Sequence, residues 1–280
     1  MNRGVLLLAH GAPERIEDVP EYLSFVRGGQ PVSARVLDEV TSRYAAIGGS
    51  SPLTRWTRAQ AEALQAVLKI PVFYGMRNWH PFVKDTMDRV REAGVDRLAS
   101  VCLAPQFSQM SVGLYMKHTV AAADGVELQW ATSYHDEPLL IEAFAERLTG
   151  LRGKVLFTAH SLPAPNERYD AEARATASAV AARLGLSDWD FAYQSQGMSG
   201  GTWLGPMVES CLDRYAAEGV REVVIAPIGF VCDHVEILYD IDVLFRAYAA
   251  ERGITLTRPE SLNGSPTFTR ALAEVVQRCG

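Results

Sequence analysis

A weak internal repeat is the feature that most constrains the fold of this chain. Residues 8–13 (LAHGAP) are echoed by residues 158–163 (TAHSLP), each an apolar run followed by Ala-His and then a proline. Two further pairs occur in the same order along the chain: residues 73–76 with 192–195, and residues 101–105 with 224–227. Chance matching of short apolar strings is the simple alternative, but the shared order favours two similar halves divided near residue 150.

Eight apolar runs of strand length alternate with helical patterns, which is typical of parallel sheets covered by helices. We expect strands at residues 5–9, 72–75, 98–104, 128–131, 154–159, 191–193, 223–226 and 254–257. We expect helices at residues 34–47, 58–68, 82–93, 139–148, 172–184, 207–217 and 268–278. The predicted fold class is α/β, with two similar Rossmann-like halves, each a four-stranded parallel sheet flanked by helices. The predicted domains are residues 1–150, residues 151–262, and a C-terminal helix in residues 263–280.

Composition excludes several classes of function. The 280 residues are 48% hydrophobic and 21% charged, which is ordinary for a globular protein. The net charge of -6 argues against a nucleic-acid partner and against an anionic membrane surface. No apolar run approaches the roughly 18 residues of a membrane span, so we expect no membrane insertion. The four cysteines have no zinc-site or iron–sulfur spacing, and reduced thiols in a cytoplasmic protein are the default expectation.

An acidic segment follows the predicted strand at residues 223–226. Asp233, Glu236 and Asp240 stand at i, i+3 and i+7, which would place three carboxylates on one face of a helix. A separate apolar stripe would pack on the sheet: Ile237, Ile241, Leu244 and Tyr248. Carboxylates at the carboxyl end of a parallel strand suit a cation or a proton relay. On this segment alone, a solvated acidic face is an equally good interpretation.

A histidine follows another predicted strand. His160 lies just past the run at residues 154–159, where side chains of open α/β sheets enter the ligand crevice. Such a histidine is either a hydrogen-bonded structural residue or a catalytic base. The residue alone favours the structural interpretation.

Several motifs together resemble the ferrochelatases, the enzymes that insert ferrous iron into porphyrins. In the second half these are AHSLP at residues 159–163, YQS at 193–195, WLGP at 203–206 and PIGFVCDHVEILYDID at 227–242. In the first half they are GGSSPL at residues 48–53, GMRNWHP at 75–81 and LAPQFS at 103–108. The resemblance therefore covers nearly the whole chain.

This resemblance implies an active-site cleft between the two halves and a C-terminal helix that packs back on the first. It implies that His160 is the base or metal-contacting residue and that Glu236 faces it across the porphyrin. Asp240 would extend the acidic line toward solvent, with Asp233 as an accessory residue. Many relatives add another acidic residue one turn on, where Leu244 stands here.

The resemblance also bears on cofactors. Some ferrochelatases carry an iron–sulfur cluster on several C-terminal cysteines, whereas only Cys279 lies in that region here. We therefore expect no iron–sulfur cluster and no permanently bound cofactor. Ferrous iron and a porphyrin enter as substrates.

The resemblance places six residues of the first half around the substrate: His10, Arg27, Arg43, Tyr44, Ser51 and Tyr115. Guanidinium groups bind carboxylates in a bidentate fashion, which suits the propionates at a porphyrin rim. Relatives often carry Tyr at the position of His10, where its oxygen can approach the metal. An imidazole is a better iron ligand and would slow product release, unless His10 is a structural histidine at the strand end.

The first loop lacks the long apolar insertion of membrane-associated ferrochelatases. We therefore expect a monomeric cytoplasmic enzyme that acts on coproporphyrin III. The alternatives are a protoporphyrin IX ferrochelatase, a cobalt or nickel chelatase of a related tetrapyrrole, and a porphyrin-binding protein without catalysis.

Overall fold

The computed structural model describes residues 2–197 and 200–279. The chain divides into two compact units, Met1–Tyr134 with Asn263–Gly280, and His135–Leu262. The sequence repeat predicted a division near residue 150. The structure places it earlier because helix α6 (Pro138–Leu148) packs against α7 (Glu167–Leu184) in the second unit.

The first unit is a parallel sheet with helices around it. Its strands are β1 (Arg3–Ala9), β2 (Val72–Met76), β3 (Arg97–Cys102) and β4 (Glu127–Ala131), in the order β2-β1-β3-β4. A 3₁₀ turn (Ile16–Asp18) precedes its helices, which are α1 (Val19–Val26), α2 (Ala34–Ala46), α3 (Leu53–Leu68), α4 (Val83–Glu92), α5 (Val112–Ala122) and α11 (Pro266–Arg278). The last of these, α11, packs against α3, β3 and β4.

The second unit repeats this plan. Its strands are β5 (Lys154–His160), β6 (Trp189–Gln194), β7 (Glu222–Pro227) and β8 (Thr255–Thr257), in the order β6-β5-β7-β8. Its helical segments are α6, α7, α8 (Val208–Ala217), α9 (Val235–Leu238), a π-helical segment (Asp240–Phe245) and α10 (Arg246–Ala250). The prediction of two four-stranded parallel sheets flanked by helices is confirmed.

Residues at its two ends explain where helix α2 begins and ends. The hydroxyl of Ser33 accepts a hydrogen bond from the backbone N–H of Val36 at 3.4 Å and caps α2. At the other end, Gly49 adopts φ +87° and its N–H donates to the carbonyl of Tyr44 at 2.8 Å. A glycine suits this left-handed position because it has no Cβ.

The helix that follows β7 departs from the prediction. The backbone N–H of Leu244 donates to the carbonyl of Tyr239 at 2.9 Å, an i→i+5 hydrogen bond that adds one residue to the turn. The predicted apolar residue Leu244 is therefore 45% exposed, and Phe245 is buried in its place at 2%. The buried positions recur every four residues through this segment: Ile237, Ile241, Phe245 and Ala249.

Among the described residues, no helix is long and apolar enough to cross a membrane.

Candidate active site

His160 is the last residue of β5 and is held at both ring nitrogens. Its Nε2 atom lies 3.2 Å from Oε1 of Glu236. Its Nδ1 atom is hydrogen-bonded to the carbonyl oxygen of Ser161 at 2.5 Å. The hydroxyl of Tyr169 donates to the backbone carbonyl of His160 at 3.0 Å, which fixes the strand end as well. The imidazole is thus in direct contact with one carboxylate. The expectation that Glu236 faces His160 across the porphyrin is wrong, because a separation of 3.2 Å leaves no room for a macrocycle between the two groups.

These contacts define where protons reside on His160. A carbonyl oxygen only accepts, so the contact with Ser161 keeps a proton on Nδ1. Burial lowers the pKa of His160, but the charge of Glu236 and the hydrogen bond to it, with the Ser161 carbonyl, raise the pKa above its ordinary value. The proton that His160 gains or loses is therefore the one at Nε2, between the ring and Glu236.

Glu236 stands in the first turn of α9 and is positioned by the residue that caps this helix. The Nδ1 atom of His234 accepts from the backbone N–H of Glu236 at 3.2 Å. Burial lowers the pKa of His234, which favours the neutral ring that such an acceptor requires. The sequence did not reveal this role of His234, since histidine is not among the common capping residues.

A buried glutamine supports Glu236 from the sheet. The side-chain amide of Gln194 donates to the backbone carbonyl of Glu236 at 2.9 Å and accepts from the hydroxyl of Thr158 at 2.7 Å. Its own backbone carbonyl accepts from the N–H of Ser161 at 2.7 Å. Gln194 therefore links the strand that carries His160 to the helix that carries Glu236. Gln194 is the middle residue of the YQS motif, but the sequence alone assigned no role to it.

Asp240 does not continue an acidic line to solvent, contrary to the expectation from the sequence. It is 4% exposed, and the hydroxyl of Ser195 donates to its carboxylate. Its charge contributes to the raised pKa of His160, so the structure does bring Asp240 near the His160–Glu236 pair. The two parts of this prediction therefore have different outcomes. Asp240 lies near the His160–Glu236 pair, but it is not exposed to solvent.

The predicted face of three carboxylates is wrong because Asp233 precedes the helix. Its carboxylate accepts from Nη1 of Arg258 at 3.0 Å and from the hydroxyl of Ser261 at 2.7 Å. Arg258 also makes a bidentate contact with Asp242, at 2.9 and 2.7 Å. This nearly buried guanidinium neutralises Asp233 and joins the two ends of the segment that contains Glu236.

The remaining candidates lie in the first unit. His10 follows β1, is half-buried, and its ring nitrogens lie 3.1 and 3.4 Å from the side-chain amide nitrogen of Asn78. Arg27 is exposed at the C-terminal end of α1. Arg43 on α2 contacts Glu39 one turn earlier, with Nη2 and Oε1 separated by 2.5 Å. A propionate bound by Arg43 would compete with this carboxylate.

Three further candidates of the first unit are buried: Tyr44, Ser51 and Tyr115. The hydroxyl of Ser51 accepts from the backbone N–H of Leu53 at 3.3 Å, at the start of α3. The guanidinium of Arg77 lies over the ring of Tyr115, 5.8 Å from its centroid. These contacts account for Ser51 and Tyr115 as parts of the scaffold, and their contact with a substrate stays a prediction.

No group of three or more His, Cys, Asp and Glu side chains forms a metal-binding cluster within residues 2–197 and 200–279. In the second unit, His160 and Glu236 offer an imidazole nitrogen and a carboxylate oxygen. Such a pair suits brief contact with a divalent ion and proton transfer, because a resident metal needs more ligands.

Comparison with known proteins identifies the family of this chain. A family model described as Ferrochelatase matches residues 2–279. The chain belongs to the ferrochelatase family. Family membership implies a porphyrin and a metal ion as substrates, which is compatible with an imidazole and a carboxylate in contact at a strand end.

Curated relatives agree with the family assignment. The ferrochelatase of Acidobacterium capsulatum is 45% identical over 98% of this chain and 93% of its own length. The coproporphyrin III ferrochelatase of Halalkalibacterium halodurans is 34% identical over 98% of this chain and 96% of its own. The sirohydrochlorin chelatase SirB of Bacillus subtilis has a TM-score of 0.66 at 9% identity, covering all of this chain and 95% of SirB. That likeness shows a shared fold for this ferrochelatase-family chain.

Proposed function

We propose that this chain is a coproporphyrin III ferrochelatase, which inserts Fe²⁺ into coproporphyrin III and releases two protons. The observation that carries the proposal is the contact of His160 with Glu236 at 3.2 Å, at the carboxyl end of a parallel strand. Metal insertion removes two pyrrole N–H protons and requires a group that meets a divalent ion. An imidazole and a carboxylate supply these functions.

The contacts around the pair indicate an order of proton movement. His160 accepts a pyrrole proton at Nε2 when that nitrogen is unprotonated, and the carboxylate of Glu236 stabilises the resulting imidazolium. Gln194 and His234 hold the backbone of Glu236, so the carboxylate stays within reach of the ring. Asp240 is the next carboxylate near His160 and can receive the proton afterwards.

The choice of coproporphyrin III is supported by charge and by relatives. Relatives whose names specify coproporphyrin III match 98% of this chain at 34% and 35% identity, whereas the relative at 45% is named Ferrochelatase alone. Coproporphyrin III has four propionates and protoporphyrin IX has two. Arg27 and Arg43 are the candidates to bind the additional carboxylates. A shielded charge-assisted hydrogen bond contributes about 1.5–3 kcal/mol, and an exposed one much less.

The same proposal includes the setting of the enzyme. We place it in the cytoplasm as a monomer, with Fe²⁺ and a porphyrin as its only partners. The support is the ordinary composition and the acidic net charge of -6, which disfavours nucleic acids and anionic membranes.

The test compares two porphyrins with one purified protein. Iron insertion into coproporphyrin III and into protoporphyrin IX is measured anaerobically, without detergent or lipid. We expect kcat/KM to be higher for coproporphyrin III. Equal or faster turnover of protoporphyrin IX would assign that substrate instead, and parallel assays with Co²⁺ and Ni²⁺ cover the other chelatases.

A second comparison separates an enzyme from a porphyrin-binding protein. The His160→Ala variant should bind coproporphyrin III as the wild type does and lose insertion. A wild-type protein that binds the porphyrin without inserting any of the three metals contradicts the proposed function.

A further inference from the structure

Arg258 lies where the chain leaves β8, at the edge of the sheet from which the Glu236 segment starts. β8 pairs in parallel with β7, with Thr257 opposite Val224. Residues that follow two adjacent parallel strands emerge at the same edge of a sheet. Arg258 comes directly after β8, and the segment that contains Glu236 comes after β7. The topology therefore brings a cation to the segment that carries Glu236.

The guanidinium of Arg258 donates four hydrogen bonds, and its side chain is only 9% exposed. Its Nε and Nη2 atoms donate to the two carboxylate oxygens of Asp242 at 2.9 and 2.7 Å. Its Nη1 atom donates to Asp233 at 3.0 Å and to the backbone carbonyl of Pro259 at 2.9 Å. The hydroxyl of Ser261 donates to the same oxygen of Asp233 at 2.7 Å. One nearly buried cation thus holds two carboxylates in a fixed geometry.

The two carboxylates stand on either side of Glu236 in the sequence. Asp233 precedes α9, and Asp242 lies in the π-helical segment that follows it. α9 is only 4 residues long, and a helix this short has little stability of its own. Ile237 and Ile241 are buried in the core, but apolar contact is not directional. The directional contacts of the guanidinium at both ends therefore restrict where the Glu236 carboxylate can lie.

We propose that Arg258 is a positioning residue that keeps Glu236 in contact with His160. It does so by linking Asp233 to Asp242, and it acts through Glu236 rather than on the substrate. Lysine does not replace arginine here, because one ammonium group cannot give a carboxylate a bidentate contact and also bind a second carboxylate in the same way. The effect of Arg258 on turnover rests on the proposed function, whereas the link itself stands on the geometry.

The first test reads the order of this segment in the protein without porphyrin. Hydrogen exchange measures how often a backbone N–H group opens to solvent. The amides of Glu236, Tyr239 and Leu244 are suitable probes, because each donates a hydrogen bond within the segment. In Arg258→Lys these amides should exchange at least about tenfold faster, since charge-assisted hydrogen bonds are lost. The amides of β5 should exchange as in the wild type.

A neighbouring arginine provides the matched control. Arg246 contacts the same carboxylate, with its Nη2 atom 3.3 Å from Oδ1 of Asp242, but its side chain is 54% exposed. Arg246→Lys should leave the exchange of the segment unchanged. Wild-type exchange in Arg258→Lys, or an equal increase in both variants, overturns the proposal. If Arg258→Lys does not fold, Asp242→Asn removes the bidentate contact from the other side, and wild-type exchange in that variant overturns the proposal equally.

The second test measures iron insertion into coproporphyrin III. Arg258→Lys should lower kcat by about 10-fold to 10²-fold, the cost of a misplacement near 1 Å, with little change in KM for the porphyrin. In a Glu236→Gln background the same substitution should lower kcat no further, because the two residues act as a unit. An equal loss in both backgrounds assigns Arg258 a structural role alone and contradicts the proposal. Wild-type kcat in Arg258→Lys, where Glu236→Gln is impaired, contradicts it as well.

The two tests separate this proposal from the proposed function. If Glu236→Gln keeps the wild-type kcat, the catalytic role of the pair is wrong and the proposed function loses its support. Faster exchange of the segment in Arg258→Lys would in that case still confirm the link between Asp233 and Asp242.

Discussion

In each unit of the molecule the equivalent strand has a histidine at its carboxyl end, but the two histidines contact different side chains. β1 and β5 occupy the same place in sheets of identical strand order, and His10 and His160 stand at their carboxyl ends. His10 meets the amide of Asn78, whereas His160 meets the carboxylate of Glu236. A repeated backbone thus supplies two imidazoles, and the side chain beside each is neutral in the first unit and acidic in the second.

The partners also come from different sides of the central strand. Asn78 follows β2, which pairs with β1, while Glu236 lies in the helix that follows β7, on the other side of β5 from β6. The helix after β7 contains the π-helical segment, which changes which residues face the core. The repeat therefore predicts where a histidine stands, and the loops after the neighbouring strands decide its chemistry.

The largest expected effect distinguishes the two histidines directly. His160→Ala should lower kcat for iron insertion by about 10²–10⁴-fold, the usual loss for a general base. His10→Ala should lower kcat far less, because His10 takes no part in the proton transfer of the proposed scheme. Steady-state kinetics of both variants, with porphyrin binding measured by fluorescence quenching, check this. Equal losses in the two variants would mean that the units share the proton chemistry.

The next effect tests the register of the π-helical segment. Phe245→Ala removes a buried aromatic ring and should lower the free energy of unfolding by about 3–5 kcal/mol. Leu244→Ala, at the neighbouring exposed position, should change it by no more than about 0.5 kcal/mol. Urea denaturation of both variants measures the difference. A larger loss of unfolding free energy in Leu244→Ala would instead support the regular α-helical register that the sequence predicted.

The strands were predictable because a parallel strand covered on both faces is a short apolar run. Residues 5–8 of β1, for example, are fully buried. Helices with a clear apolar stripe were predictable for the same reason. α5 was missed because apolar residues occur all around this helix, so its buried face (Val112, Tyr115 and Thr119) does not stand out in the sequence, and Gly113 interrupts it. The π-helical segment was missed because one inserted residue leaves no mark in the pattern of residue types.

Two candidate residues were predictable because each lies in a motif at a strand end: His160 and Glu236, which the structure places in contact. The contacts of His234 and Arg258 were not predictable, because each depends on the geometry of a neighbouring loop. Such contacts have no period along the chain, so residue spacing does not reveal them.

A smaller effect follows from the partner of His160 and depends on pH. The folded-state pKa of His160 is raised, so the contact with Glu236 stabilises the fold fully below about pH 6.5 and the contribution is lost as the pH rises through the raised pKa. Glu236→Gln removes this contribution. The stability difference between wild type and variant should therefore be largest near about pH 5.5 and shrink toward about pH 8.5, by on the order of 1 kcal/mol per unit of pKa shift.

Thermal or urea unfolding across this pH range measures the difference. A stability difference that grows with pH in Glu236→Gln would place the pKa of His160 below its ordinary value and contradict the charged pair.

The smallest effect concerns the arginines of the first unit and the choice of porphyrin. Arg27 is exposed, and an exposed ion pair contributes about 0.2–1 kcal/mol, so Arg27→Ala should raise KM for coproporphyrin III by no more than about fivefold. Arg43→Ala should have a smaller effect, because Glu39 already engages its guanidinium at 2.5 Å. Both variants should raise KM less for protoporphyrin IX.

Arg35, an exposed arginine of α2 without a predicted substrate contact, provides the matched control in Arg35→Ala. An equal increase in Arg35→Ala would show that net charge, and not a bound propionate, sets the affinity of this unit for the more acidic porphyrin.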